Sequence, residues 1–539
     1  MSPIPERERL AEYALKGVHL GLRQVGMAPE QRTARRLAEQ ARSRRIVTTG
    51  PRVVVLEPRD WAVHVQWEGM IAQALRLRGA DVRFVTCGGG LELCDRVNAY
   101  EGPPVPCTTC TRYVEKSIDA HGFPRLSIRE GWEGNDPGDW LELDELSFGE
   151  LIDVAWHDLP LGELVDIPLR WFLMRSRLND EPLAPLNARR FLRSARRVLV
   201  GLERAFEELQ PDVLLLLNGL FFFEAIATAM AIQRGVPVLG YERGFIPGTL
   251  IVHHGDPNCL LDVSDTWDHW RGVPLTPDQE TELDRYLDDR RMGRRTMDMY
   301  WKRGTRYELD GGEDASSGRL VTLFTNLTWD SAVLGQEVAF PSIHDWVATA
   351  IEWAAAHPEH RLVVRIHPAE VKLPGKQTRE PLASFIRARF PGLPSNVTVL
   401  EPSDPTSSYV LMEAADVGLV FTSTVGLELA LHDVPVIVAG NTHYRDKGFT
   451  VDVSSSDQFM NALDAAVADP TTSRPDHDLA RRYAYLFFFR APIGAPYVEE
   501  HVPGLARITI DDLSELEPGH DTEVDRICDE ILGAASSPP

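Results

Sequence analysis

The sequence predicts an α/β protein built from two doubly wound, Rossmann-like units. Three observations carry this. Short β-branched runs alternate with helix-spaced segments, first within residues 46–265 and again within 319–475. The alternation breaks over 266–318, which is charged and turn-rich. The length, 539 residues, suits two or more separate cores. Open sheets of this kind bind ligands at the carboxyl ends of their strands, so the two units are expected to face each other across a cleft.

The elements follow in order. Residues 1–45 read as a helical arm with ten Lys or Arg against five Glu. It is either a solvated helix packed on the body or a surface for anionic lipid. "PRVVVLEP" then reads as a buried strand, "EGMIAQALRLRGA" as a helix ending in glycine, and "DVRFVTC" as the next strand. "PDVLLLL" and "VPVLGYERG" continue the first series, each preceded by a helical stretch. Residues 266–318 form a helical linker that ends in "DGGEDASSG". The second series has strands at "RLVTLFTN", "RLVVRIHP", "NVTVLEP", "DVGLVFT" and "VPVIVAG", with helices between them. Residues 476–539 read as a C-terminal helical segment.

Composition narrows the function. Acidic residues exceed basic ones, and the formal charge of −24 argues against a nucleic-acid partner. No apolar run approaches the ~20 residues that span a bilayer. Glu6, Arg7, Glu8 and Arg9 stand where a signal peptide would need an apolar core. The expected location is cytoplasmic, with the inner face of the membrane as a variant.

Ligand chemistry concentrates at strand ends of the second series. Ser423 and Thr424 follow "DVGLVF", and Gly426 opens the next helix, where unpaired N–H groups favour an oxyanion. Simple N-capping is the alternative. Glu428 is out of register for a capping box and could accept ribose hydroxyls. "GNTHYRDKG" brings His443, Tyr444, Arg445 and Lys447 to the next strand end. "RIHPAE" brings Arg365 and His367 to another, and "LEPSDP" could frame a base. Together these suit a nucleotide diphosphate.

"RIHPAE", "TSTVGLELAL", "VPVIVAGNTHYRDKGFT" and "LFTNLTWDSA" resemble bacterial capsule-polysaccharide-biosynthesis glycosyltransferases of the GT-B fold, relatives of the capsular Kdo transferases. The resemblance is close over about 319–450 and loose before it. It implies a nucleotide-sugar donor in the second unit and a glycan, lipid-linked or small-molecule acceptor in the first. It maps the family's histidine-proline motif onto His367 and Pro368, and its phosphate turn onto Thr424, Gly426 and Glu428. Peripheral membrane contact would follow from a lipid-linked acceptor.

Inverting transfer needs a base on the acceptor hydroxyl and positive character at the leaving diphosphate. "EPRDWAVHVQWEG", read as the loop after the first strand, offers Asp60, His64 and Glu68, with His64 the first choice. Glu242 and Arg243 in "YERG" are rivals, and Asp330 follows a second-unit strand. A nucleotide-sugar 2-epimerase-like isomerase, a polyol-phosphate transferase and a non-catalytic binding protein remain alternatives.

Four of the six cysteines cluster as C-x6-C-x12-C-x2-C: Cys87, Cys94, Cys107 and Cys110. Buried free thiols, a structural zinc and an iron–sulfur cluster are the three readings. No organic cofactor is expected.

Overall fold

The computed structural model describes residues 16–44, 46–134, 136–138, 140–255, 261–293, 318–373, 375–495 and 497–536. The first unit is built on β1 (Arg52–Leu56), β2 (Asp81–Thr86), β3 (Arg125–Ser127), β4 (Val213–Leu217), β5 (Val238–Arg243) and β6 (Thr249–His254). Its strand order is β3-β2-β1-β4-β5-β6, with β1 to β5 parallel and β6 antiparallel to β5. All five residues of β4 are buried, as a central parallel strand covered by helices on both faces requires.

The second unit holds β7 (Leu320–Phe324), β8 (Arg361–Arg365), β9 (Val397–Leu400), β10 (Val417–Val420), β11 (Val436–Val438) and β12 (Val451–Asp452). Their order is β9-β8-β7-β10-β11-β12, all parallel. Both sheets therefore start at the centre, wind one way, and return to wind the other. Each has a switch point, between β1 and β4 and between β7 and β10. These are two Rossmann-like, doubly wound units.

The structure departs from the sequence reading in three places. The stretch "EPRDWAVHVQWEG" is not all loop: a helix runs from Ala62 to Leu77 and carries His64 and Glu68. Its residues Val65, Trp67, Met70 and Ile71 are all buried, so core packing extends the helix back to the strand end. After β5 the chain doubles back through Gly244–Gly248 into β6, an edge strand the alternating pattern does not show. The C-terminal segment is not simply helical. It contains β13 (Ile493–Gly494), β14 (Val498–Val502) and β15 (Leu505–Ile508) before the helix Thr522–Ser536. β13 adds to β6 of the first sheet, and Ile527, Cys528 and Ile531 of that helix pack with Val53, Val213 and Leu239.

In the arm, the helix Pro29–Ser43 buries Ala34, Leu37, Ala38 and Ala41. Arg36 and Arg44 pair with Asp511 and Glu517, and Arg23 pairs with Glu30. These cations are engaged within the chain. The linker residues 294–317 lie outside the described residues. Among the described residues, no helix is long and apolar enough to cross a membrane.

Candidate functional site

At the switch point of the first sheet, Glu57 directly follows β1 and Asn218 directly follows β4. Asn218 and Gly219 turn the chain at positive φ, 21° and 81°. The Asn218 amide donates to Glu242 Oε2 at 2.7 Å, and the Arg243 N–H donates to Glu242 Oε1 at 2.8 Å. His64 and Glu68 are four residues apart, so they share one helix face. Both meet Tyr241: its hydroxyl donates to Glu68 Oε1 at 2.8 Å and lies 3.2 Å from His64 Nδ1.

Glu57 and Glu68 are 3% and 1% exposed and hydrogen-bonded to each other. Burial pushes both carboxyls well above the usual range. One proton between them supplies the donor that Oε2 of each otherwise lacks. Next to this pair, Arg59 is buried between Asp95 (3.0 Å) and Glu224, and its guanidinium lies over Trp61. Half-buried His64 is pushed down to about 3, by burial first and then by the charges of Arg243 and Arg59. Its imidazole is neutral at pH 7. Asp60 is held by Arg96. Glu242 is raised by burial, and Asp330 of the second unit raises it further. Sequence reasoning missed Glu57 and Tyr241. The one available signal was a carboxylate directly closing a buried strand.

The second switch point is lined by the turn after β7 and the turn after β10, joined where the Thr422 N–H donates to Asn326 Oδ1 at 3.3 Å. Ser423 Oγ accepts from the Val425 N–H at 3.3 Å, and Thr424 stands at the start of the short helix Val425–Leu431. Gly426 is needed for packing, because a Cβ there would collide with the Tyr444 hydroxyl. That hydroxyl donates to the Ser423 carbonyl. Tyr444 thereby ties the two turns together from inside.

Glu428 is buried and accepts from Arg290 Nη2 at 2.8 Å, with Tyr409 also hydrogen-bonded to it. Arg290 comes from the helix Pro277–Arg291. The "NTHYRDKG" turn folds inward. His443 Nδ1 lies 2.9 Å from the Tyr483 hydroxyl, and its ring stacks on Phe487 at 3.8 Å. Burial pushes His443 down to about 3. Lys447 Nζ donates to Ser264 at 2.6 Å, and Arg445 binds the Gly440 and Val453 carbonyls. Arg365 binds the Glu401 and Asp404 carbonyls, so it braces the "LEPSDP" loop.

His367 is half-buried. Its Nδ1 accepts the Ala369 N–H at 3.1 Å, which places the ring proton on Nε2. Thr422 Oγ1 and His443 Nε2 are buried without a hydrogen-bond partner among the described residues. Thr422, at the strand end, is where a ligand's oxygens would be useful, whereas His443 Nε2 is a lone pair turned inward, its Nδ1–H donating to Tyr483.

The strand ends of the two units are apposed. Asn98 Nδ2 donates to the Gly375 carbonyl at 2.9 Å, and Lys376 Nζ lies 4.4 Å from the Trp171 ring centre. Glu380 accepts from the Ser176 and Arg177 N–H groups, both at 3.1 Å. A groove of about 580 Å³ lies along this seam, lined in part by Asp166, Arg170, Arg177, Thr328 and Glu337. A second cavity, of about 820 Å³, is elsewhere. It is bounded by Gly235–Val238, which enter β5, and by the helix Thr522–Ser536. That is the opposite end of the sheet from the carboxylates.

Cys87, Cys94, Cys107 and Cys110 all line one small cavity, with Arg59 and Arg96 beside them. Among the described residues, no group of three or more His, Cys, Asp or Glu is arranged to hold a metal ion.

Residues 278–474 match the family model described as capsule polysaccharide biosynthesis protein. No curated protein matches the chain. Among solved structures, a Thermosulfurimonas dismutans KpsC β-Kdo 2,7 transferase is 15% identical with a TM-score of 0.32, over 61% of this chain and 89% of that one. The UDP-GlcNAc 2-epimerase of Neisseria meningitidis is 9% identical with a TM-score of 0.26, over 82% and 99%. Anabaena HepE, in complex with UDP and glucose, is 12% identical with a TM-score of 0.27, over 90% and 100%. Likeness at this level assigns no activity. The stretch that carries Arg290, His367, Thr424 and Glu428 is the part of this chain that is similar to capsule polysaccharide biosynthesis proteins.

Proposed function

We propose that the chain is a glycosyltransferase that moves a sugar from a nucleotide-sugar donor to a surface-polysaccharide or other glycoconjugate acceptor. The observation that carries the reading is the family match over the second unit, whose strand ends oppose a buried carboxylate cluster in the first. The donor diphosphate lies at the β7–β10 switch point, against Thr422, Ser423, Thr424 and the Nε2–H of His367. That proton-bearing nitrogen stabilises charge on the departing diphosphate. The acceptor is a glycan, lipid-linked or small molecule, and the seam groove is of ligand size. A nucleotide sugar places the reaction in the cytoplasm, at the membrane's inner face if the acceptor is lipid-linked.

Glu242 is the base. Its raised pKa brings it nearer neutrality, and Asp330 of the second unit faces it closely enough to raise it further. His64, pushed down to about 3, is a weaker base in the free protein. Glu242→Gln should lower turnover by ~10²-fold or more and leave nucleotide affinity unchanged. His64→Ala should do much less. The reverse order would return the role to His64.

The reaction itself is tested with labelled nucleotide sugars, with and without glycan acceptors. Label transferred to acceptor is expected. Conversion of the sugar without acceptor would identify an epimerase. Release of nucleoside monophosphate from a CDP-polyol would identify a polyol-phosphate transferase. Binding without turnover of any donor would leave a non-catalytic protein.

A further inference from the structure

We propose that the outward face of the N-terminal arm, built on Val18, Leu20, Val25 and Met27, docks the chain on an anionic membrane surface. Within the arm, residues 16–24 are helical, and that helix is turned inside out. Val18, Leu20, Val25 and Met27 are 63%, 43%, 64% and 45% exposed, whereas His19 and Arg23 are 9% and 4% exposed. A Cβ on Gly17 or Gly21 would meet nothing within 4 Å. A helix on a water-facing surface ordinarily turns its charges outward and its apolar side chains to the body. Here the exposed residues between 17 and 27 carry no charge. Large apolar side chains grouped at a surface mark a contact with something other than water.

Polar contacts hold the inversion. Glu30 is buried, accepts from Arg23 Nε at 3.0 Å and lies 2.9 Å from His19 Nε2. The Arg23 guanidinium lies over the Tyr113 ring at 4.5 Å. Gln31 Nε2 donates to the Arg23 carbonyl at 3.2 Å and to Ser117 Oγ at 3.1 Å. The charged side of the helix is therefore bound to the helices Pro29–Ser43 and Cys107–His121, and the apolar side is left outward. Gln24 Nε2 donates to the Thr109 carbonyl at 3.3 Å, in the first turn of Cys107–His121. That turn lies at the carboxyl end of β2: a Cβ on Gly89, three residues after β2, would stand 3.2 Å from the Cβ of Cys107. The outward face thus begins at the end of the first unit that meets the seam.

The charge around this face selects the partner. Over residues 16–36, Lys16, Arg23, Arg32, Arg35 and Arg36 stand against a single carboxylate, the buried Glu30, in a chain of formal charge −24. Arg23 and Arg36 are paired within the chain. Arg32 and Lys116 are exposed, and Arg35 donates to the Gly26 carbonyl rather than to a carboxylate. A Cβ on Gly26 would stand 3.6 Å from both Arg35 Nη2 and Lys116 Cδ, so these two cations flank the turn between Val25 and Met27. Beside Lys116, Glu115 and Asp119 are both held by Arg125. Apolar side chains that enter the headgroup boundary, rimmed by Lys and Arg that meet anionic lipid, make an interfacial membrane contact. A second copy fits less well, because a two-fold contact would set this positive rim against itself. Docked in this way, the chain would hold a lipid-linked acceptor near the seam; only that step rests on the proposed glycosyl transfer.

The test is sedimentation of the full chain with vesicles, in the absence of any nucleotide sugar. Binding is expected to vesicles of phosphatidylcholine and phosphatidylglycerol in equal parts, with little to phosphatidylcholine alone and a loss at high salt. Val18→Ser with Val25→Ser should weaken binding about tenfold or more. The melting temperature should stay unchanged, because both side chains are already exposed. Arg32→Gln with Lys116→Gln should weaken binding to the mixed vesicles by a similar factor. Leu393→Ser, at an exposed leucine of the second unit, should change nothing. No sedimentation with either vesicle, or undiminished binding by the Val18 and Val25 double variant, would overturn the proposal. A dimer in lipid-free buffer that this variant dissociates would also overturn it and assign the face to a second copy. Since no donor is present, a failure of glycosyl transfer to any acceptor would sink the proposed function and leave the vesicle result standing.

Discussion

Arg290 and Glu428 meet in a buried ion pair, their side chains 4% and 7% exposed. Charges taken out of water are held there by each other, by Tyr409, and by the Tyr286 hydroxyl, which accepts from Arg290 Nη1 at 3.4 Å. Arg290→Met should therefore cost about 3–5 kcal/mol in chemical denaturation. Arg290→Met with Glu428→Leu should recover much of that loss, since no lone charge is left. Histidines give a second prediction. His121 and His443 are buried and pushed down to about 3 from 6.5, so the unfolded chain binds protons more readily than the folded one. Their contribution is complete above pH 6.5 and is lost as the pH falls toward 3. The melting temperature should fall through that window, and its slope should flatten in His443→Phe. An equal slope in that variant would show that other groups set the acid limit.

At the scale of elements, the helix Thr522–Ser536 and β13 complete the first unit although they follow the second in sequence. The helix buries Val524, Ile527, Cys528, Ile531 and Ala534 in the first unit's core. Each large apolar side chain contributes about 1.5–3 kcal/mol, so their sum rivals the whole stability of a domain. A chain ending at Arg490 should lose the first unit to limited proteolysis while a fragment of about 261–490, including the helix that carries Arg290, persists. Digestion of both units at equal rates would refute this. The same element shows where the sequence is silent. Alternating strands and helices were legible because parallel strands buried on both faces must be apolar throughout, as "VLLLL" is. β13 is two residues long and has no pattern of its own; only its partner β6 defines it. The site was legible in a similar way. The sequence located His367 and Thr424 at strand ends and grouped the four cysteines. It could not show that Glu428 would meet Arg290, 138 positions away, or that His443 and Lys447 would turn inward. Those outcomes depend on packing partners distant in the chain.

Across the whole molecule, residues 375–380 carry much of the seam, through Gly375, Thr378, Arg379 and Glu380. Glu380 is the densest of them, accepting from the Ser176 N–H and hydroxyl, the Arg177 N–H and the Arg177 guanidinium. Glu380→Ala should remove about 2–5 kcal/mol of coupling between the units. Calorimetry should then resolve two unfolding transitions, and a single unshifted one would argue that other contacts set the coupling. A nucleoside diphosphate at about 100 times its Kd should raise the upper limit of stability by about 2.7 kcal/mol, and in the Glu380 variant only the second unit's transition should move. The return of the chain to its first sheet also sets an order of events during synthesis. β6 ends at His254 and β13 begins at Ile493, so at about 5–20 residues per second the ribosome takes about 10–50 s between them. Through that interval the second unit can close on its own, while the first waits with one sheet edge and part of its apolar face uncovered, a client for chaperones until the last helix emerges.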